Sequence, residues 1–227
     1  MILDVASLLA LADSCAPSVA PETLISIVHT ESQFNTLAIG VNSPGARKPT
    51  PATRAQAIAA ARSLIRQGYN IDLGLGQINS ANLGWLGLSV EDAFEPCHNL
   101  AAAARVLTTN YQSVARFAPS PDHAIATALS LYNTGDRRRG FRNGYVARVY
   151  ASASTVIPLI RGGRPAPVMS APVMPAPVQL ADAAIANPQA SALAATQAAG
   201  WNTAADARQA SLMVFGDGTT SQKGQHP

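Results

Sequence analysis

The sequence predicts a mainly α-helical domain carrying one small β-hairpin or loop element, with a flexible tail rich in proline and alanine behind it. Three observations lead there. Apolar residues recur at helical spacing in successive segments between residues 1 and 157. The stretch Ala38 to Pro51, AIGVNSPGARKPTP, interrupts them with Gly, Pro and Asn turn signals after a short apolar start. At Pro158 the composition changes: six prolines fall between Pro158 and Pro177, and 14 alanines between Ala181 and Ala210. The expected organisation is therefore a domain over residues 1–157, a proline-rich linker over 158–180 and a low-complexity tail over 181–227.

Taken in order, the N-terminus admits two readings. Val5 to Ala12 has the length of a signal-peptide core and ends in Ala10-Leu11-Ala12, but Asp4 precedes it and no Lys or Arg does. Ile2, Val5, Leu9 and Ala12 also share a helical face, and a first amphipathic helix is the favoured reading, so any export signal here is weak or absent. Ala16-Pro17 breaks the chain, and Pro21 suits the first position of a helix that runs to Ser32. After the turn-rich segment, Ala52 to Gln67 forms a helix with Ala57, Ala61, Leu64 and Ile65 inward and Gly68 as its stop. Gly74 to Leu88, GLGQINSANLGWLGL, has too many glycines for a good helix. Gly74 and Gly76 either let a ligand approach Gln77 and Asn79 or allow a glycine-rich helix start to pack tightly on a neighbour. A short turn capped by Ser89 ends at Pro96. A long helix from about Cys97 to Arg116 presents Leu100, Ala103, Ala104, Leu107, Tyr111 and Val114 on one face. Ser120-Pro121-Asp122 opens a helix to about Leu131, followed by Tyr132-Asn133-Thr134-Gly135. Gly144 to about Ile157 closes the series, with Tyr145, Val149 and Val156 apolar.

Composition narrows the function. Residues 1–157 carry 12 Lys/Arg against 10 Asp/Glu and residues 158–227 carry 4 against 3, so no basic stripe points to nucleic acid. Arg137-Arg138-Arg139 with Arg142 reads as a solvated loop before it reads as a site for an anionic polymer. No run approaches the roughly 18 apolar residues of a membrane span. Cys15 and Cys97 are the only cysteines, either paired or two buried thiols. His29, His98, His123 and His226 lack ligand spacing, so neither a metal nor a cofactor is expected, and no Ser or Cys has a partnered base in a recognisable motif.

One carboxylate stands out. Leu24, Ile27 and Val28 lie seven, four and three residues before Glu31, so all four share one helical face and Glu31 looks inward from the last turn. Apolar neighbours and the negative end of the helix dipole both favour its protonated form, the environment of a general acid. By itself the stretch fits a solvated residue beside an apolar rim better than a catalytic one, and the rest of the chain has to carry the functional reading.

Three stretches in order, Glu31-Ser32-Gln33-Phe34-Asn35, Gly74-Leu75-Gly76-Gln77-Ile78-Asn79 and Leu131-Tyr132-Asn133-Thr134-Gly135, resemble the lytic transglycosylases of the lysozyme-like superfamily. The Ala38–Asn42 stretch, the run Pro96-Cys97-His98-Asn99-Leu100 and the closing NGYVARV further resemble the subgroup that accompanies type IV secretion systems. The resemblance covers roughly residues 10–157. It implies a lysozyme-like fold in which Glu31 is the catalytic acid and Ser32 helps to hold its carboxylate. Gln77 and Asn79, with the backbone around Gly76, would line a glycan cleft, and Tyr132 and Asn133 would sit near the reacting sugar. The implied substrate is the peptidoglycan glycan strand, cut between N-acetylmuramic acid and N-acetylglucosamine without water to leave a 1,6-anhydro end. The implied location is the periplasm, where a Cys15–Cys97 disulfide is favoured; the implied partners are secretion components, met through the tail.

Two rivals remain open. Asp72 is the nearest second carboxylate by motif, and with it a hydrolytic muramidase or chitinase is the alternative chemistry. A wall-binding assembly protein that only holds glycan is the alternative without chemistry.

Overall fold

The computed structural model describes residues 1–162; the linker and tail expected beyond Gly162 lie outside the described residues. Helix α1 (Val5–Cys15) is capped by Asp4, whose carboxylate accepts from the Ser7 N–H at 2.8 Å. Its buried residues are Leu8 and Ala12, while Ile2 is exposed, so the inward face is rotated from the expected one. Ile2 leaves the helix because it bridges to Asn35 in an isolated antiparallel pair.

Helix α2 (Pro21–Ser32) is the centre of the core. Thr23 through Val28 are all buried, so the helix is enclosed on every side over its middle turns. It packs chiefly on the last helix, α8 (Tyr145–Ile160), while α5 (Pro96–Ala115) and α6 (Pro121–Thr134) pack on each other and α1 lies on α5. The Cys15–Cys97 disulfide fixes the end of α1 to the start of α5.

Strand β1 (Ile39–Val41) comes from the turn-rich segment. It pairs with β2 (Ile71–Leu73), which pairs with β3 (Ile78–Asn79), giving an antiparallel sheet in the order β1-β2-β3. The glycine-rich stretch is thus a β-hairpin and not a helix start. Helix α3 (Arg54–Arg66), capped by the Thr53 hydroxyl, spans between the first two strands. Ile71 and Leu73 point into the core, so the intervening Asp72 turns to the other face, in register with Gly40 on one side and Asn79 on the other.

Asn99 of α5 fastens this hairpin. It is buried, accepts from the Gly76 N–H at 2.7 Å, and donates to the carbonyls of Leu73 at 2.9 Å and Ala93 at 2.7 Å. Gly74 takes φ +71°, and a Cβ there would lie 2.4 Å from both the Ala93 carbonyl and the Asn99 amide.

Three further elements differ from expectation. A one-turn helix α4 (Leu83–Leu86) follows the hairpin, ended by Gly87 in the left-handed region. Helix α6 continues through Tyr132 and Asn133 to Thr134, because Gly135 at φ +65° is the residue that ends it. After the short α7 (Arg139–Arg142), α8 runs past Pro158 to Ile160. Proline so close to the end removes one N–H bond, to the carbonyl of exposed Ser154, which solvent can satisfy. No helix among the described residues is long and apolar enough to cross a membrane.

Candidate active site

The second-last residue of α2 is Glu31, and the chain turns sharply just beyond it. Gln33 and Phe34 both adopt positive φ, 51° and 68°, a strained geometry for residues other than glycine. The N-terminal segment holds that turn in place. The Leu3 N–H donates to the Phe34 carbonyl at 3.0 Å and the Thr36 N–H to the Met1 carbonyl at 2.9 Å, while Asn35 Oδ1 accepts from the Leu37 N–H at 3.0 Å. Phe34 also packs on His29, with ring centroids 5.1 Å apart.

The Glu31 carboxylate opens onto a cleft of about 760 Å³ between the sheet and helices α5 and α6. Tyr145, the first residue of α8 and itself buried, donates its hydroxyl to Glu31 Oε1 at 2.5 Å. Burial pushes the Glu31 carboxyl up to about 7, and the nearby Asp72 charge adds to this; the Tyr145 hydrogen bond and Arg148 pull the other way. A carboxyl poised there exchanges its proton near neutral pH, as a group that must first give and then take a proton requires.

Asp72 faces the same cleft from β2 in a web of amides. Asn42 donates to one of its oxygens at 2.9 Å and Asn79 to the other at 2.7 Å, and both also donate to Asn70 Oδ1. Burial raises its carboxyl, opposed by these two amides and Lys48. Its neighbour across the register is Gly40, where a Cβ would come within 2.8 Å of the Gln77 amide oxygen. The missing side chain at residue 40 is what lets Gln77 lie over the sheet. Gln77, at φ +48°, donates to the Gly74 carbonyl at 2.8 Å and lines the cleft.

Of the residues singled out in the sequence, Glu31, Gln77, Asn79, Tyr132 and Asn133 line this one cleft. Tyr132 spends its hydroxyl on the Gly76 carbonyl at 2.7 Å, so it braces the hairpin turn, and burial pushes its phenol well above the usual range. Asn133 accepts from Asn143 at 2.9 Å. Two residues stand apart. Gly76 is a close-packing position, where a Cβ would meet Ala103 at 2.8 Å and the Tyr132 hydroxyl at 3.0 Å. The Ser32 hydroxyl donates to the Val28 carbonyl at 3.2 Å, back along its own helix; the donor to the Glu31 carboxylate is Tyr145.

Tyr145 was readable as part of an apolar stripe and of the closing NGYVARV run, neither of which assigned it a role at the site, although a tyrosine on a buried face signals that its hydroxyl has a partner somewhere. Asn42, Asn70, Arg139 and Trp85 also line the cleft; Asn42 and Arg139 fell in stretches the sequence singled out for other reasons, and nothing in the local sequence marked Asn70 or Trp85 as lining residues. Among the described residues no group of three or more His, Cys, Asp or Glu stands together to hold a metal ion.

Comparison with known proteins agrees with this geometry. The transglycosylase SLT domain family matches residues 9–152. Protein virB1 of Agrobacterium fabrum is 39% identical over 147 residues, covering 65% of this chain and 59% of that protein. The type IV secretion system protein virB1 of Brucella abortus is 37% identical over 165 residues, covering 67% of this chain and 69% of that protein. The chain thus spans about three fifths of the Agrobacterium relative's length. No solved structure matches it significantly. Because the family match extends over well more than half of its residues and takes in Glu31, the hairpin and Tyr145 together, the chain belongs to the transglycosylase SLT domain family.

Proposed function

We propose that this protein is a peptidoglycan lytic transglycosylase that cuts the β-1,4 bond between N-acetylmuramic acid and N-acetylglucosamine. The carrying observation is the Glu31 carboxyl, raised to about 7 and held by the Tyr145 hydroxyl on the wall of a polar cleft. Protonated Glu31 gives its proton to the glycosidic oxygen as the bond from that oxygen to the muramic C1 breaks. The carboxylate, now steadied by Tyr145, takes the proton from the muramic C6 hydroxyl while that oxygen bonds to C1. The proton lost in the first step is thereby regained, no water enters, and the products are a free N-acetylglucosamine 4-hydroxyl and a 1,6-anhydro end. One carboxyl suffices because the attacking group comes from the substrate, unlike the usual pair of carboxylates in a glycosidase.

The name of the Brucella relative, a type IV secretion system protein, supports a place in such a system; we propose that cleavage opens the wall locally for the apparatus and that the protein acts in the periplasm. The tail beyond Gly162 is the proposed contact with other components. One observation favours a second reading. Asp72 shares the cleft and is raised by burial, so a hydrolytic muramidase would have a second carboxyl to position water.

The deciding test is the mass of muropeptides released from purified peptidoglycan by the protein and by Glu31→Gln. Anhydro products about 18 Da lighter than their hydrolytic counterparts, absent with the variant, support the transfer reaction. Reducing ends would move the reaction to hydrolysis. Wall binding without release would leave only a glycan-holding assembly role.

A further inference from the structure

Trp85 is 45% exposed, and among the exposed large apolar side chains of the described residues it alone lines the cleft. Its one polar atom is already committed, since the indole N–H donates to Asn82 Oδ1 at 3.1 Å within the same turn. What the ring offers is therefore a flat π surface and not a hydrogen bond. The Arg105 guanidinium of α5 lies over the ring at 5.3 Å from its centroid, so one face is backed by a cation. Asn82 and the backing from α5 leave the indole few ways to turn, and leaving it half-exposed in water has no benefit for stability. Asn82 and Asn110 line the cleft beside it and bring amides suited to hydroxyl or acetamido groups.

We infer that Trp85 is the platform of a sugar-binding subsite, on which an N-acetylated pyranose of the glycan strand stacks its C–H face. The inference rests on the glycan-cleaving reading above and adds to it a second point of grip. Glu31 projects from α2, which packs chiefly on α8, whereas Trp85 projects from α4, which packs on the turn Ser80–Asn82 before it. On this inference the sugar on Trp85 is a neighbour of the one that reacts. Binding energy gained there holds the strand in register across Glu31 and makes affinity depend on glycan length.

The test uses the full chain carrying Glu31→Gln, which stops turnover, and Trp201→Phe, which leaves Trp85 as the sole tryptophan. The probes are defined oligomers of alternating N-acetylglucosamine and N-acetylmuramic acid, from two to eight sugars. Emission of Trp85 is expected to shift to the blue on binding of the longer oligomers. In Glu31→Gln with Trp85→Ala, calorimetry is expected to show about tenfold weaker binding of the longer oligomers and little change for the disaccharide, with Trp85→Phe recovering most of the loss. Equal affinity of parent and Trp85→Ala for every length, with no change in emission on binding, overturns the platform while leaving the cleft a glycan site. Failure of the parent to bind any oligomer overturns the glycan reading and the platform together. Thermal melts of each variant separate a lost contact from a lost fold.

Discussion

Replacing Glu31 by glutamine should stabilise the folded protein above neutral pH while abolishing cleavage. The folded carboxyl titrates near 7 against an ordinary value of 4.5, and burial is the main cause. At about 1.36 kcal/mol per pH unit, that gap sets a ceiling of about 3 kcal/mol. Between pH 4.5 and about 7 the folded protein binds more protons at this site than the unfolded chain does. The stability contributed by the raised value is therefore fully present below 4.5 and is lost as the pH rises through about 7. At pH 8 the protein carries a buried charge that glutamine would not, and the glutamine oxygen can still accept from Tyr145. Glu31→Gln should then gain up to about 3 kcal/mol at pH 8, a rise in Tm of about 6 to 12 °C for a domain of this size, and next to nothing at pH 4. Melts of both proteins by circular dichroism at pH 4, 6 and 8 measure it. A difference independent of pH, or a variant less stable than the parent at pH 8, would refute the account of Glu31 as a carboxyl held against its own charge.

Tyr145→Phe removes the hydrogen bond that favours the charged form, so the alkaline limb of the pH–rate profile should move up by about one pH unit and kcat/KM should fall at least tenfold at pH 6; an unmoved limb would show that Tyr145 does not set the Glu31 titration. Asp72→Asn removes a like charge and should move that limb downward. It also sets an amide donor against that of Asn42 or Asn79, so about 1 to 3 kcal/mol of stability should be lost in urea unfolding. A limb that stays in place would disconnect Asp72 from the acid. Reducing the Cys15–Cys97 bond, which closes a loop of 82 residues, should cost about 4 kcal/mol by loop entropy, read as a lower midpoint in urea with dithiothreitol. Identical midpoints with and without reductant would mean that packing of α1 on α5 already holds that end of the domain.

Much of the fold and part of the site were legible in the sequence, for reasons that differ residue by residue. Helix α2 matched its expected limits because proline at its start and the loss of apolar spacing after Ser32 are local signals. Likewise the Ser120 cap and Pro121 marked the start of α6, while its end was misplaced because Gly135, four residues beyond the expected end at Leu131, governs the last turn. The hairpin from Ile71 to Asn79 was not legible as strands. Such short strands owe their conformation to partners elsewhere, in this case Ile39–Val41 and the buried Asn99.

By itself the sequence determined that Glu31 shares a helical face with three apolar residues, and it determined the order of the three stretches that carry the family resemblance; that this face is enclosed was decided by the packing of α2 on α8. Tertiary structure alone decided what surrounds that carboxyl. Tyr145 lies 114 residues away along the chain, and Asp72 reaches the cleft only because β2 alternates against the core. Trp85 became a lining residue only when α4 and α5 met across the cleft. A side chain's facing is set by its neighbours along one element, but its proton affinity and its partners are set by whatever folding brings within a few ångströms.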